Sequence, residues 1–295
     1  MPRQSPKKNI LLSDLTTIGI GGPVKEYLEI RSIEECKEAL LQCKKNNTPF
    51  FVLGKGSNCL FSDEGFQGAL LHIKIDTFED LGSGKFKVGA GFSFSLLGTR
   101  TARDGWGGLE FATGIPASIG GAIFMNAGAN GQETCNTLVE VNFLHSDGTL
   151  ETFSKKDLLF SYRASSFQKM QGVILSATFQ LEPSNSAKEK QLTLFQYRKM
   201  TQPYHEKSAG CIYRNPLNLS AGALIEGAGL KGSSLGGAAV SEMHGNFLVN
   251  RNNASAKELM QLMELVERLV FEKSGARLQR EVRIVSTSGE LYDHR

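Results

Sequence analysis

The residues whose types and spacing could do chemistry fall in four short blocks of the 295-residue chain. They are Gly54-Lys55-Gly56-Ser57-Asn58, the run from Gly108 to Gly131, Tyr162-Arg163-Ala164-Ser165-Ser166-Phe167, and Ser208-Ala209-Gly210-Cys211-Ile212-Tyr213. The run GLEFATGIPASIGGAIFMNAGANG alternates Gly, Ala and Ser with apolar residues and carries almost no charge. Glycine tolerates positive φ and lets a backbone approach a ligand, so this run is either a tightly turned core segment or a cradle whose amides and Ser118 hydroxyl point at a pyrophosphate. Gly54 to Asn58 is a second cradle of the same kind, a tight turn after the apolar run Phe50 to Leu53. Neither loop fits GxGxxG opening a helix or GxxxxGK[ST], which points to a dinucleotide held outside a Rossmann fold. Arg163 is either a surface or ion-paired side chain or, because paired guanidinium donors match both oxygens, a carboxylate ligand.

The elements that must position these blocks can be read from periodicity. Tyr27 to Ile30 reads as a strand, and Ser32 with Glu35 as a capping box for a helix with Ile33, Cys36, Ala39, Leu40 and Cys43 on one face. With the strand Phe50 to Leu53 this makes a β-α-β unit over 27–53. Further on, Phe86 to Val88 reads as a strand and Ser93 to Arg103 as a short helix. Val139 to Leu144 and Leu150 to Phe153 flank the turn Ser146-Asp147-Gly148-Thr149 as a hairpin, and Val173 to Leu181 is another strand. Pro183 to Lys190 reads as a linker and Lys190 to Met200 as a helix. Short strands are expected around Ile212, at Ala238 to Val240 and at Phe247 to Asn250. Ser255 and Glu258 form a second capping box, ahead of a helix with Leu259, Leu262, Met263, Val266, Leu269 and Val270 buried; Gly275 ends it, and Val282 to Val285 closes the chain as a strand.

Composition narrows the class. A length of 295 residues suggests two or three domains, and 40% hydrophobic with 21% charged residues is ordinary for a globular protein. A net charge of +3, with scattered basic residues, gives no case for nucleic acid. No apolar stretch has the length of a membrane span, and the N-terminus lacks the apolar segment of a secretion signal. Five cysteines, at 36, 43, 59, 135 and 211, show no CxxC or Cys/His spacing, so reduced thiols, a cytoplasmic location and no metal are expected.

Thr17-Ile18-Gly19-Ile20-Gly21-Gly22, GKGSN at 54–58, the glycine run at 108–131, YRASSF at 162–167, SAGCIYRNP at 208–216 and LQREVRIV at 278–285 occur in order over nearly the whole chain. Together they resemble the UDP-N-acetylenolpyruvoylglucosamine reductase (MurB) family, in the type that lacks an extra substrate-covering loop. The resemblance implies an α+β protein with the FAD-binding fold of the vanillyl-alcohol-oxidase (PCMH) type and a third α+β substrate-binding domain. The segmentation divides these as FAD-binding subdomains at 1–70 and 71–185 and the substrate domain at 186–295. FAD, held non-covalently, is then expected at Gly54, Lys55, Gly56, Ser57 and Asn58, at Thr113, Gly114, Ile115, Pro116, Ser118, Gly120 and Gly121, and at Asn126, Ala127 and Gly128. His72 reads as an ordinary strand histidine, not a point of covalent attachment.

The implied reaction is a two-stage reduction of UDP-N-acetylglucosamine enolpyruvate to UDP-N-acetylmuramate, for peptidoglycan precursor synthesis. FAD carries hydride from NADPH to the β carbon of the enol ether, and a proton goes to the α carbon. The family carries over three catalytic residues: Arg163 and Glu281 at the enolpyruvyl carboxylate, and Cys211, where serine is commoner, as proton donor. A thiol with a reference pKa of about 8.5 is mostly protonated at neutral pH and far more acidic than a hydroxyl. Glu281 beside another carboxylate is expected to have a raised pKa and to donate a hydrogen bond. Tyr162, Arg214, Asn215 and Lys231 are the implied substrate contacts, with Tyr213 a further aromatic candidate, and a monomer is expected. An oxidase on the same flavin fold, or a nucleotide-binding protein, would share the glycine loops but leave the YRASSF, SAGCIYRNP and LQREVRIV blocks without a reason to occur together.

Overall fold

The computed structural model describes residues 9–291. They form two compact units: one of 28–55 and 70–198, the other of 9–27, 56–69 and 199–291. Of the three consecutive segments drawn from sequence, 71–185 lies wholly in the first unit and 1–70 is divided between both.

The first unit is built on a five-stranded antiparallel sheet in the order Leu150–Ser154, Leu138–His145, Gly172–Gln180, Lys85–Gly89, Phe78–Asp80. Leu138–His145 and Leu150–Ser154 are joined by the expected hairpin, whose Gly148 has φ 88°. α1 (Ile33–Lys45) starts at Ser32, whose hydroxyl accepts from Glu35 N–H at 3.1 Å. The Glu35 carboxylate accepts in turn from Arg31 N–H at 2.7 Å. The strands around α1 differ from a simple β-α-β pair: Phe66–Ile73 inserts between Val24–Ile30 and Phe50–Leu53. Its interior is apolar on both faces, which suits a central strand. α2 (Phe94–Arg103) and α3 (Ile119–Phe124) are capped by the hydroxyls of Ser93 and Ser118. Phe94, Phe111, Phe143, Phe167 and Phe179 are wholly buried and fill this core.

The expected linker at Pro183 to Lys190 is structured instead. Glu182–Pro183 pairs with Trp106–Gly107, and α4 (Ala187–Thr201) begins on Ala187, which is fully buried. A stretch without large apolar residues is still anchored here because one methyl group suffices at the contact point.

The second unit has a four-stranded antiparallel sheet in the order Lys207–Cys211, Phe247–Asn250, Ala238–Val240, Ser234–Leu235. α5 (Ala221–Gly227) and α6 (Ala256–Ser274) belong to the same unit. α6 has the predicted capping box of Ser255 and Glu258, and Gly275 ends it at φ 70°. Leu259, Leu262, Met263, Val266 and Val270 are buried and Leu269 is partly so. Arg283–Val285 pairs in parallel with Cys59–Phe61, so two segments more than 200 residues apart in sequence complete one ladder.

Candidate active site

In the first unit the two glycine loops touch. A Cβ built on Gly54 would lie 2.2 Å from the Ser118 hydroxyl, so the absence of a side chain is what lets the two turns meet. Ser118 is buried, and its hydroxyl accepts from Gly121 N–H at 3.3 Å as the cap of α3. At the other end of α3 the Phe124 carbonyl, one of the acceptors a helix leaves open, takes bonds from Ser165 Oγ at 2.7 Å and Gln168 Nε2 at 2.9 Å. These bonds tie the hairpin bearing Tyr162 and Arg163 to the glycine run.

Arg163 sits in that hairpin's turn at φ 57°, a left-handed conformation that costs a non-glycine residue about 1–2 kcal/mol. Its guanidinium donates to the Gly128 carbonyl at 3.1 Å and lies 4.8 Å from the Tyr162 ring centroid. Asn126, wholly buried at φ 42°, braces the same corner. Its Nδ2 donates to Glu133 Oε2 at 2.8 Å and to the Ser161 carbonyl at 3.1 Å, while Oδ1 accepts from Cys135 N–H at 3.1 Å. Both of its amide protons therefore serve the loop itself.

The glycine loops differ in what their backbones offer. The N–H groups of Lys55, Gly56 and Ser57 enter no hydrogen bond among the described residues. Gly56 holds φ 62°, where a Cβ would strike the Leu15 carbonyl oxygen at 2.3 Å. Three successive donors in a tight turn make an anion-binding concavity, and this turn fits a diphosphate such as that of FAD. Along 113–121 most of the amides are already bonded within the protein. There Thr113, Gly114, Ile115, Ile119, Gly120 and Gly121 donate to Glu110, Ser95, Ala112, Phe92, Ala90 and Ser118, and Pro116 has no N–H. That run spends its amides on the protein's own packing except for the Ser118 N–H, which enters no hydrogen bond among the described residues. His72, buried on its strand, is pushed down to about 4, by burial first and then by Lys74, so it is a neutral imidazole at pH 7.

In the second unit the pairing of Lys207–Cys211 with Phe247–Asn250 breaks register between Ser208 and Cys211, where Gly210 takes φ 73°. A bulge re-aims the side chain that follows it. Beyond it the Ile212 carbonyl accepts from Glu281 N–H at 2.6 Å and Val282 N–H at 3.4 Å, and Tyr213 and Arg214 pair with Arg280 and Gln279. Cys211 and Glu281, separated by most of the unit's sequence, thus lie next to residues that share one carbonyl. Asn58 joins them: its Nδ2 donates to the Glu281 carbonyl at 3.3 Å, and its own carbonyl accepts from Arg283 N–H at 3.1 Å. Thr17 bridges the same region, donating its hydroxyl proton to the Ser208 carbonyl at 2.6 Å and its N–H to the Gly56 carbonyl at 3.1 Å.

Charge around Glu281 is arranged so that Arg280 is matched by Glu267 on α6, with a 2.9 Å bond from its NH2 group to Oε2. Cys211 is the one cysteine of the five that is not buried. Burial pushes the Cys36 thiol up to about 12 and Cys59 to about 11, and raises Cys135, which makes these thiols unreactive at neutral pH.

The substrate candidates separate. Arg214 Nε is shielded from solvent yet has no hydrogen-bond partner among the described residues. Asn215 Oδ1 accepts from Ala221 N–H at 3.0 Å at the start of α5, and Lys231 Nζ lies 3.2 Å from Glu226 Oε1. Tyr213 is not available as an aromatic contact: it is 1% exposed, and its hydroxyl, pushed well above its usual range by burial, donates to the Met263 carbonyl at 3.0 Å. Asn246 and Asn250, which no motif singled out, are both buried and bonded on both amide atoms. Their signal in the sequence is two amides bracketing a wholly apolar trio, Phe247-Leu248-Val249.

In the first unit a side-chain-poor glycine run meets the Gly54 turn, and in the second a thiol and a carboxyl flank the short ladder of Tyr213–Arg214 with Gln279–Arg280; the class of the protein is that of the flavin-dependent oxidoreductases. In accord with this, residues 24–154 match the FAD binding domain family. Residues 202–285 match the UDP-N-acetylenolpyruvoylglucosamine reductase C-terminal domain. The chain belongs to the UDP-N-acetylenolpyruvoylglucosamine reductase family. It is 53% identical over 277 residues to the reductase of Protochlamydia amoebophila, covering 94% of this chain and 93% of that one. Identity to the reductase of Chlamydia trachomatis is 43% over 281 residues, covering 95% and 96%. The crystal structure of the reductase from Thermus caldophilus superimposes with a TM-score of 0.82 at 35% identity, covering 95% of this chain and 99% of that one.

Proposed function

We propose that Cys211, Arg163 and Glu281 are the groups with which this FAD- and NADPH-dependent enzyme reduces UDP-N-acetylglucosamine enolpyruvate to UDP-N-acetylmuramate, a step of peptidoglycan precursor synthesis. Bound FAD, reduced by NADPH, supplies the hydride for the β carbon of the enol ether. The Cys211 thiol gives its proton to the α carbon and is reprotonated from solvent, so the double bond gains one hydride and one proton. Negative charge accumulates on the α carbon and its carboxylate before that proton arrives. Arg163, whose paired donors match a carboxylate, and Glu281 stabilise it there, the kind of preorganised electrostatics that lowers a barrier most. Arg214, Asn215, Lys231 and Tyr162 are the side chains assigned to substrate binding.

The observation that supports this reading is the Ile212 carbonyl, which takes the Glu281 N–H at 2.6 Å and so holds the segment with the carboxyl next to the residue that follows the thiol. The residues that would hold FAD are Gly54 to Asn58, through the Lys55–Ser57 amides, and the glycine run from Thr113 to Gly128. In this reading the enzyme acts as a cytoplasmic monomer.

The test is direct. The purified protein should be yellow, be bleached anaerobically by NADPH, and regain its colour on adding the enolpyruvyl nucleotide. Recovery of colour with oxygen alone would assign an oxidase, and a colourless protein with no affinity for FAD would remove the flavin from the account.

A further inference from the structure

Backbone groups that follow the end of a strand inside a protein need partners other than a ladder. Lys207–Cys211 runs beside Phe247–Asn250 as far as Cys211 opposite Phe247. The next two residues, Ile212 and Tyr213, are essentially inaccessible, and their backbone polar groups must be matched inside the protein. One residue matches three of them. The Asn246 carbonyl accepts from Ile212 N–H at 2.9 Å; Oδ1 accepts from Tyr213 N–H at 2.9 Å; Nδ2 donates to the Tyr213 carbonyl at 2.8 Å. A carboxamide offers a donor and an acceptor side by side, as a peptide group does, so the side chain stands in for the missing strand. Asn246 is 2% exposed, and its own N–H donates to His244 Nδ1 at 3.1 Å, which fixes the turn it comes from. The remaining carbonyl of the pair, that of Ile212, is the one held by Glu281 and Val282.

We infer that Asn246 is a positioning residue for the proton transfer: by clamping the backbone of residues 212 and 213 it sets where the Cys211 thiol and the Arg214 guanidinium are held. The inference rests on Cys211 being the proton donor. It requires a donor and an acceptor at the Asn246 amide, a demand that bulk or burial alone would not impose.

The experiment uses flavin-loaded Asn246→Ala, Asn246→Asp and Cys211→Ala beside the parent enzyme. NADPH reduction and nucleotide reoxidation are followed separately in stopped flow, in H2O and D2O, and backbone hydrogen exchange is followed over 211–214. For Asn246→Ala, reduction by NADPH should stay within about twofold of the parent. Reoxidation should slow by about 10- to 100-fold with a larger solvent isotope effect, because the misplaced donor makes proton transfer limiting. Exchange over 211–214 should accelerate at least tenfold while α6 remains protected. An ionised aspartate places an oxygen against the Tyr213 carbonyl, whereas a protonated one restores both bonds; reoxidation by Asn246→Asp should therefore recover toward the parent rate as pH falls from 8 to 6.

Parental reoxidation in both Asn246 variants, with Cys211→Ala slow, would overturn the inference and leave the donor assignment standing. Parental reoxidation in Cys211→Ala would overturn both. Equal loss of the two half-reactions in Asn246→Asp, unrelieved by acid, would make Asn246 a folding residue only and overturn the inference.

Discussion

Gly54→Ala is the substitution whose cost can be worked most directly from the contact between the two glycine loops. Gly54 does not occupy the left-handed region, so alanine meets no backbone penalty there. The difficulty is steric: its Cβ would stand 2.2 Å from Ser118 Oγ, against the 3.4 Å at which ordinary contact begins. Ser118 is 2% exposed and its hydroxyl caps α3, so relief comes either from turning that hydroxyl off Gly121 N–H or from moving the 54–58 turn by about 1 Å. Overpacking of this kind costs about 1–3 kcal/mol, and a lost cap about 1 kcal/mol. Because the displaced turn carries the Lys55, Gly56 and Ser57 donors, FAD affinity should fall by roughly 5- to 30-fold, equivalent to about 1–2 kcal/mol. Ser118→Ala alone should cost only the cap. In the double variant the nearest atom to the new methyl becomes the Ser118 Cβ, 3.3 Å away, which a shift of a few tenths of an ångström accommodates. Gly54→Ala should therefore be cheaper in the Ser118→Ala background by about 1–2 kcal/mol. FAD binding, titrated by flavin fluorescence quenching in the four proteins, measures that coupling. Strictly additive losses, or a Gly54→Ala protein with parental affinity, would refute the argument from close approach.

At the thiol, Cys211→Ser should retain measurable turnover, whereas Cys211→Ala should leave NADPH-driven flavin reduction intact and slow nucleotide reoxidation by about 10² or more; single-turnover kinetics decide it. Arg163→Lys keeps the charge but not the fork, and should slow reoxidation about 10- to 100-fold, the loss of about 1.5–3 kcal/mol of a charge-assisted bond, with flavin reduction unaffected. Holding His72 at about 4 in the folded protein, against 6.5 when unfolded, means the unfolded chain binds the extra proton. Stability should accordingly fall as pH drops from about 6.5 to about 4, by about 2 kcal/mol, and His72→Gln should flatten that part of the urea-midpoint profile. An unchanged slope in His72→Gln would mean the imidazole is not the group titrating.

Much of this organisation could be read before any coordinates, because it is written in local chemistry. Ser32 and Ser255 cap their helices as read, because an N-cap is decided within four residues, whereas the Ser118 hydroxyl, read as an anion contact, turns out to cap a short helix that the sequence did not announce. The hairpin at Ser146 to Thr149 is local in the same way. What escaped depends on partners far along the chain. No periodicity announces that Phe66–Ile73 fills the gap in the first sheet, or that Tyr213 turns into the core to reach Met263. The amides of 113–121 looked available for the same reason: glycine permits a cradle, but Ala90 and Phe92, which take two of those protons, lie in another motif. Asn246 was invisible because an asparagine at a turn and an asparagine acting as a strand have the same letter.

The parallel ladder between Cys59–Phe61 and Arg283–Val285 has a consequence for how the chain is made. Every segment of the first unit has been synthesised by residue 198, whereas in the second unit Cys59–Phe61 has no parallel partner until residues 283–285 have been added. During that interval Leu60 and Phe61, wholly buried in the finished protein, wait uncovered. Nascent chains stalled before residue 279 should therefore be the chaperone-dependent and protease-sensitive species, and the thiol at 211 should acquire its setting only once 279–285 have emerged.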